Sequence, residues 1–82
     1  MTDTKLTIYT REDCHLCETA IETCRRVGDA VSANVTVDVV DVDGDSDLRA
    51  RYGERVPYVL VDGRPTFKYR VDEAELRRKL RS

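Results

Sequence analysis

Cys14-His15-Leu16-Cys17 is the stretch of the chain best suited to chemistry. Two thiols three residues apart at the start of a helix occupy neighbouring positions of one turn, within reach of a disulfide. A helix start also presents free N–H groups and the positive end of the macrodipole. Both stabilise a thiolate, the reactive form of cysteine. The two thiols are not equivalent. Cys17 continues an apolar stripe with Ala20, Ile21, Cys24 and Val27 and is expected to point inward, while Cys14, one turn earlier at the cap, is expected to face water. An exposed attacker and a shielded resolver are what dithiol exchange requires. The neighbouring charges are mixed: Arg11 and a protonated His15 favour the thiolate, whereas Glu12 and Asp13 oppose it.

The cysteines have other possible uses. A zinc site takes four ligands. Cys24 lies two helical turns from Cys17 and His15 is the single histidine, so one chain falls short of a set. Two copies pooling cysteines around an iron–sulfur cluster would escape that limit. Cysteine also serves as a small buried apolar side chain, the role expected of Cys24. Val56-Pro57 is a second feature. A proline at the head of a strand marks a boundary, because it has no N–H for the ladder. The other reading is a cis bond, found in about 5% of X–Pro pairs.

These residues need a frame. Lys5–Tyr9 alternates and is rich in strand formers, Cys14–Ala30 has helical spacing with Gly28 near its end, and Asn34–Val42 is a valine-rich strand. The apolar residues of that second strand fall on both parities, which predicts burial on two faces. Strand, helix and strand make a right-handed βαβ unit with parallel strands. Asp45 or Ser46 caps a short helix through Tyr52, closed by Gly53. Tyr58–Val61 and Thr66–Tyr69 form an antiparallel hairpin around the turn Asp62–Pro65. Asp72 and Glu75 have capping-box spacing and open a last helix with Leu76 and Leu80 on one face.

Composition narrows the function. The 82 residues make one domain (1–82) with 14 Lys and Arg against 16 Asp and Glu, a net charge of −2. That balance offers nothing to nucleic acid or an anionic membrane. The basic run Arg77, Arg78, Lys79 and Arg81 falls in a last helical turn, where cations are favoured anyway. No apolar stretch reaches the roughly 20 residues of a membrane span. Met1–Lys5 lacks the layout of a signal peptide, and three cysteines leave one over from any disulfide scaffold. A cytoplasmic monomer without a cofactor is expected.

The whole pattern resembles the glutaredoxin-like proteins of the thioredoxin superfamily from end to end. The matching pieces are Leu6–Tyr9, Arg11-x-x-Cys14-x-x-Cys17, Asp41-Val42-Asp43, Tyr52-Gly53-x-x-Val56-Pro57 and Asp62-Gly63. The resemblance implies an α/β, thioredoxin-like fold. Its four-stranded mixed sheet would run second-first-third-fourth, with the last two strands an antiparallel hairpin and helices on both faces. It implies a cis Val56-Pro57 bond beside Cys14, hindering metal capture, and a Val56 backbone that pairs with an extended substrate. The implied activity is thiol–disulfide oxidoreduction by Cys14 and Cys17, acting on a disulfide-containing protein or on glutathione and recharged by an upstream thiol reductant. Arg11, His15, Val56, Pro57 and Asp72 would bind substrate. An iron–sulfur-binding module and a redox-inactive adaptor are the alternatives. The chain departs from glutaredoxins in carrying Cys-His-Leu-Cys in place of Cys-Pro-Tyr-Cys. It also has Tyr69-Arg70-Val71 where they carry a glycine pair before the aspartate that meets the glutathione γ-glutamyl end.

Overall fold

A computed structural model describes residues 3–31 and 34–81; Met1 and Thr2, on which the leader reading partly rests, lie outside them. Strand β1 (Thr4–Thr10) leads through a loop to helix α1 (His15–Val31), then to strand β2 (Val35–Asp41). A 3-10 turn (Val42–Gly44) precedes helix α2 (Ser46–Tyr52). Strands β3 (Tyr58–Val61) and β4 (Arg64–Lys68) and helix α3 (Glu73–Arg81) follow. The sheet order is β2-β1-β3-β4, with β1 parallel to β2 and antiparallel to β3. This is the thioredoxin-like order expected from the resemblance.

Local chemistry explains the boundaries. Asp45 caps α2 by accepting from the Asp47 and Leu48 N–H groups at 2.9 and 3.2 Å, and Gly53 closes it. Asp72 caps α3 by accepting from the Glu75 N–H at 3.0 Å. The Glu75 carboxylate itself pairs forward with Arg78. The hairpin turn is tighter than its composition predicts. Asp62 and Gly63 alone form it, at φ +51° and +82°, and both lie in the left-handed region that a two-residue turn uses. Arg64 and Pro65 therefore belong to β4, which ends at Lys68 rather than Tyr69. Pro65 is tolerated because β4 is an edge strand with a shift in register beside Val59 and Leu60.

Alternation on β1 divides the molecule into layers. Leu6 and Ile8 point to one side and form a fully buried cluster with Cys24 and Val27 of α1, Val59 of β3 and Leu76 of α3. Tyr9 points to the other side, where its ring stacks on Tyr52 of α2 at 4.4 Å between centroids; Tyr52 also meets Tyr58 at 4.9 Å. β2 corrects one expectation. Its valines are half-buried to exposed, with Val39 at 36%, because β2 is the other edge strand and neither of its faces is fully covered.

No residue of α2 is fully buried, so its docking depends on the Tyr52 ring between Tyr9 and Tyr58. Tyr52→Ala is expected to cost about 2 kcal/mol, somewhat below a fully buried aromatic. Amide hydrogen exchange should accelerate across α2 while β1 amides stay protected. Unchanged exchange at Arg49–Gly53 would show that something else holds the helix.

Candidate functional site

Cys14 and Cys17 are joined as a disulfide at the start of α1, with their Cα atoms 5.2 Å apart. Cys14 is the residue before the first helical position, and its carbonyl accepts from the Glu18 N–H at 3.1 Å. Its sulfur accepts from the Cys17 N–H, also at 3.1 Å. That sulfur occupies the place of a capping oxygen, and the same N–H stands ready to stabilise the thiolate once the pair is reduced. Cys14 is half-buried, whereas Cys17 is only 1% exposed. The asymmetry expected from the apolar stripe is thus present. Asp13, immediately before Cys14, has φ +57°, one of the few residue types that tolerate the left-handed region. It turns the chain from the loop into the helix.

Arg11 is anchored rather than free. Its Nε and Nη2 form a two-point contact with the Asp43 carboxylate, each at 3.1 Å, and its Nη1 donates to the Gly53 carbonyl at 3.2 Å. Asp43 offsets the charge that Arg11 brings to the loop. The helix-start N–H is then the favourable interaction at the Cys14 sulfur. His15 is almost fully exposed and lies 3.7 Å from the Glu18 carboxylate.

The Val56-Pro57 bond is cis. Sheet register puts Tyr9 opposite Tyr58, so Pro57 and the loop Arg11–Asp13 leave the same end of adjacent strands. The buried Pro57 presents its carbonyl to the Tyr69 N–H at 2.8 Å. Tyr69 in turn lines a groove of about 650 Å³ with Leu16, Thr19, Ala20 and Thr23 of α1 and with Arg70, Val71 and Asp72. The motif, the residues before α3 and Pro57 thus form one connected region. Asp72 is exposed at the groove, but one of its carboxylate oxygens is taken by the cap of α3.

Leu16 and Tyr69, 51% and 44% exposed, are not among the substrate-binding residues expected from the sequence, yet both form part of the groove wall. Tyr69 has φ +71°, unusual for a bulky residue. Its side chain gives no warning of that conformation, which glycine would have signalled.

Among the described residues, no group of three or more His, Cys, Asp or Glu could hold a metal ion. No helix among them is long and apolar enough to cross a membrane.

Cys24 behaves as a core residue: burial pushes its thiol up to about 11. Below pH 9 the thiol is protonated in both folded and unfolded chains. Above pH 9 the unfolded chain releases the proton first, so stability must fall until about pH 11, where the folded thiol also ionises. Two units correspond to roughly 2–3 kcal/mol. Denaturant titrations at pH 8 and 11 should therefore show a smaller loss for Cys24→Ala than for the parent. Equal losses would contradict the assignment.

Comparison with known proteins points the same way. The family model described as "Glutaredoxin-like domain (DUF836)" matches residues 5–81. Protein Rv0508 of Mycobacterium tuberculosis is 32% identical over 80 residues, covering 94% of this chain and 82% of the relative. The X-ray structure of target protein XcR50 from X. campestris superposes with a TM-score of 0.72 at 36% identity, covering 92% of this chain and 93% of the other. Protein Ne2328 from Nitrosomonas europaea gives 0.74 at 30% identity, covering 90% and 87%. With its family pattern matched along nearly its whole length and its strand order that of the thioredoxin-like fold, the chain belongs to the glutaredoxin-like domain family.

Proposed function

We propose that the protein is a thiol–disulfide oxidoreductase that reduces protein disulfides or glutathione mixed disulfides through Cys14 and Cys17. The observation that carries this reading is the pair itself: a half-buried Cys14 sulfur facing a helix-start N–H, linked to a buried Cys17. In the reduced protein the Cys14 thiolate attacks one sulfur of the target disulfide. The other target sulfur leaves as a thiolate and takes up a proton. Cys17 then loses its proton and attacks the Cys14 sulfur, releasing the second target thiol and closing the Cys14–Cys17 disulfide. Two electrons pass to the target, and an upstream thiol reductant restores the dithiol. One chain holds both sulfurs, so the cycle needs no second copy. A reducing compartment such as the cytoplasm suits it.

The groove beside Leu16 receives the target against the 69–72 segment, and the Val56 backbone, just before Pro57, pairs with its extended chain. Glutathione fits it poorly. Tyr69, Arg70 and Val71 carry side chains where close backbone approach calls for glycine, and Asp72 is engaged in capping α3. Loss of one charge-assisted anchor costs about 1.5–3 kcal/mol. That is roughly one to two orders of magnitude in affinity.

The test supplies dithiothreitol as reductant and follows two substrates, a peptide–peptide disulfide and the same peptide joined to glutathione. Both should turn over, with no rate advantage for the glutathione adduct. An advantage of about tenfold or more would show that glutathione is bound after all. Failure of both substrates to react faster than with dithiothreitol alone would remove the oxidoreductase reading.

A further inference from the structure

The end of α2 and the turn that follows it form a cavity of about 390 Å³ lined by Arg11, Arg49, Arg51 and Arg55, together with Ala50, Gly53 and Glu54. Four of the chain's 14 basic residues therefore line one opening in a molecule whose net charge is −2. Glu54 is the single carboxylate among the lining residues. Some basic side chains elsewhere are paired, Lys5 with Asp38, Arg26 and Arg77 with Glu73, and Arg78 with Glu75, and the other described arginines without an ion pair, such as Arg25 and Arg64, do not line this cavity. At this cavity Arg11 alone is paired. Among the described residues, Arg49, Arg51 and Arg55 are exposed with no carboxylate within ion-pair distance.

Unpaired guanidinium groups clustered at one opening repel one another, and bound anions relieve that repulsion. The placement says what kind of anion. Arg11 stands three residues before Cys14 and Arg55 two before Pro57, so the cavity adjoins both chain segments that lead into the candidate site. The Arg11 guanidinium is fixed there by Asp43 and the Gly53 carbonyl. Arg49 and Arg51, two apart on a helix, project in different directions and cannot converge on one small ion. Carboxylates spaced along a polypeptide match this layout.

We infer that the cavity of Arg11, Arg49, Arg51 and Arg55 is a docking surface for an acidic polypeptide segment, the stretch of a target protein that flanks its reactive cysteine. This inference rests on the proposed oxidoreductase reading and adds a substrate class to it. It also opposes the simpler electrostatic expectation. Net negative charge, with Glu12, Asp13 and Glu18 flanking the dithiol, would repel an acidic target.

Two peptides test it, each carrying a cysteine capped as a mixed disulfide with thionitrobenzoate, one with glutamates on both sides and one with glutamines. Attack by the Cys14 thiolate on the peptide sulfur releases thionitrobenzoate, which is coloured. The glutamate peptide should react about tenfold faster at low salt, with the ratio falling towards one as salt shortens the screening length to a few ångströms. In an Arg49→Gln/Arg55→Gln variant the ratio should fall below about two, with the rate for the glutamine peptide unchanged. A second arm measures fluorescence anisotropy of the glutamate peptide with serine in place of cysteine, added to the oxidised protein. Salt-sensitive binding that the double variant loses is expected. An acidic peptide that reacts no faster than the neutral one, or that keeps its advantage in the variant, overturns the docking surface. If neither peptide reacts, the oxidoreductase reading has failed, and the anisotropy arm still decides the docking surface: no binding there overturns it.

Discussion

Replacing Cys14 with serine should reduce disulfide-reductase turnover by more than about a thousandfold, to the level of the reductant alone. A hydroxyl at this position still accepts the Cys17 N–H, so the helix start and the fold should survive. What disappears is the anion. Serine does not ionise near neutral pH, and no other described thiol is placed to replace Cys14, since Cys17 and Cys24 are both buried. Cys17→Ser should behave differently. The first attack remains, but resolution is lost, and protein should accumulate as a mixed disulfide. Cys24→Ser should keep most of the parent's turnover, at some cost in stability from a hydroxyl placed among Leu6, Ile8 and Val27. Stopped-flow traces of all three variants separate attack from resolution. A Cys24→Ser variant as inactive as Cys14→Ser would require a relay through a third cysteine.

Leu76→Ala should be among the most damaging single changes to the fold. Leu76 is the one fully buried residue of α3, and it packs into the cluster of Leu6, Ile8, Cys24, Val27 and Val59. Truncation of a fully buried leucine costs about 2.7–5 kcal/mol. An 82-residue domain has on the order of 4–12 kcal/mol in total. The variant is therefore expected to melt at least about 10 °C lower, and to be partly unfolded at 37 °C if the parent lies at the low end. Leu16→Ala, in the exposed groove wall, should stay within about 0.5 kcal/mol of the parent. Calorimetry on the two variants distinguishes a core leucine from a surface one. The damage should also reach the site, because Asp72 caps α3 and belongs to the 69–72 side of the groove. Equal melting temperatures for the two variants would contradict this division.

Much of this was legible in the sequence because it depends on local chemistry. The helix over residues 15–31, the capping by Asp45 and Asp72 and the inward turn of Cys17 all follow from spacing and side-chain type. The parallel β1–β2 pair follows from the length of the connection. Features that depend on tertiary partners were not legible. The valines of β2 read as doubly buried, but valine content does not report whether a strand is central or at an edge. Arg11 read as a cation that favours the Cys14 thiolate, and its pairing with Asp43 spans 32 residues that only the fold brings together. The grouping of Arg49, Arg51 and Arg55 with Arg11 around one cavity has the same origin. Tyr69 read as the end of a strand, and its left-handed backbone is imposed by the connection between β4 and α3 rather than by its own side chain.

The central claim is that Cys14 is the attacking sulfur and Cys17 its resolver. Its most direct test is a mass-spectrometric map of the adduct formed when reduced Cys17→Ser protein meets a peptide disulfide at pH 7. One peptide per chain is expected, bonded to Cys14, with Cys24 unmodified because burial shields its thiol and keeps it protonated. A peptide found on Cys24, or no covalent adduct at all, would contradict it.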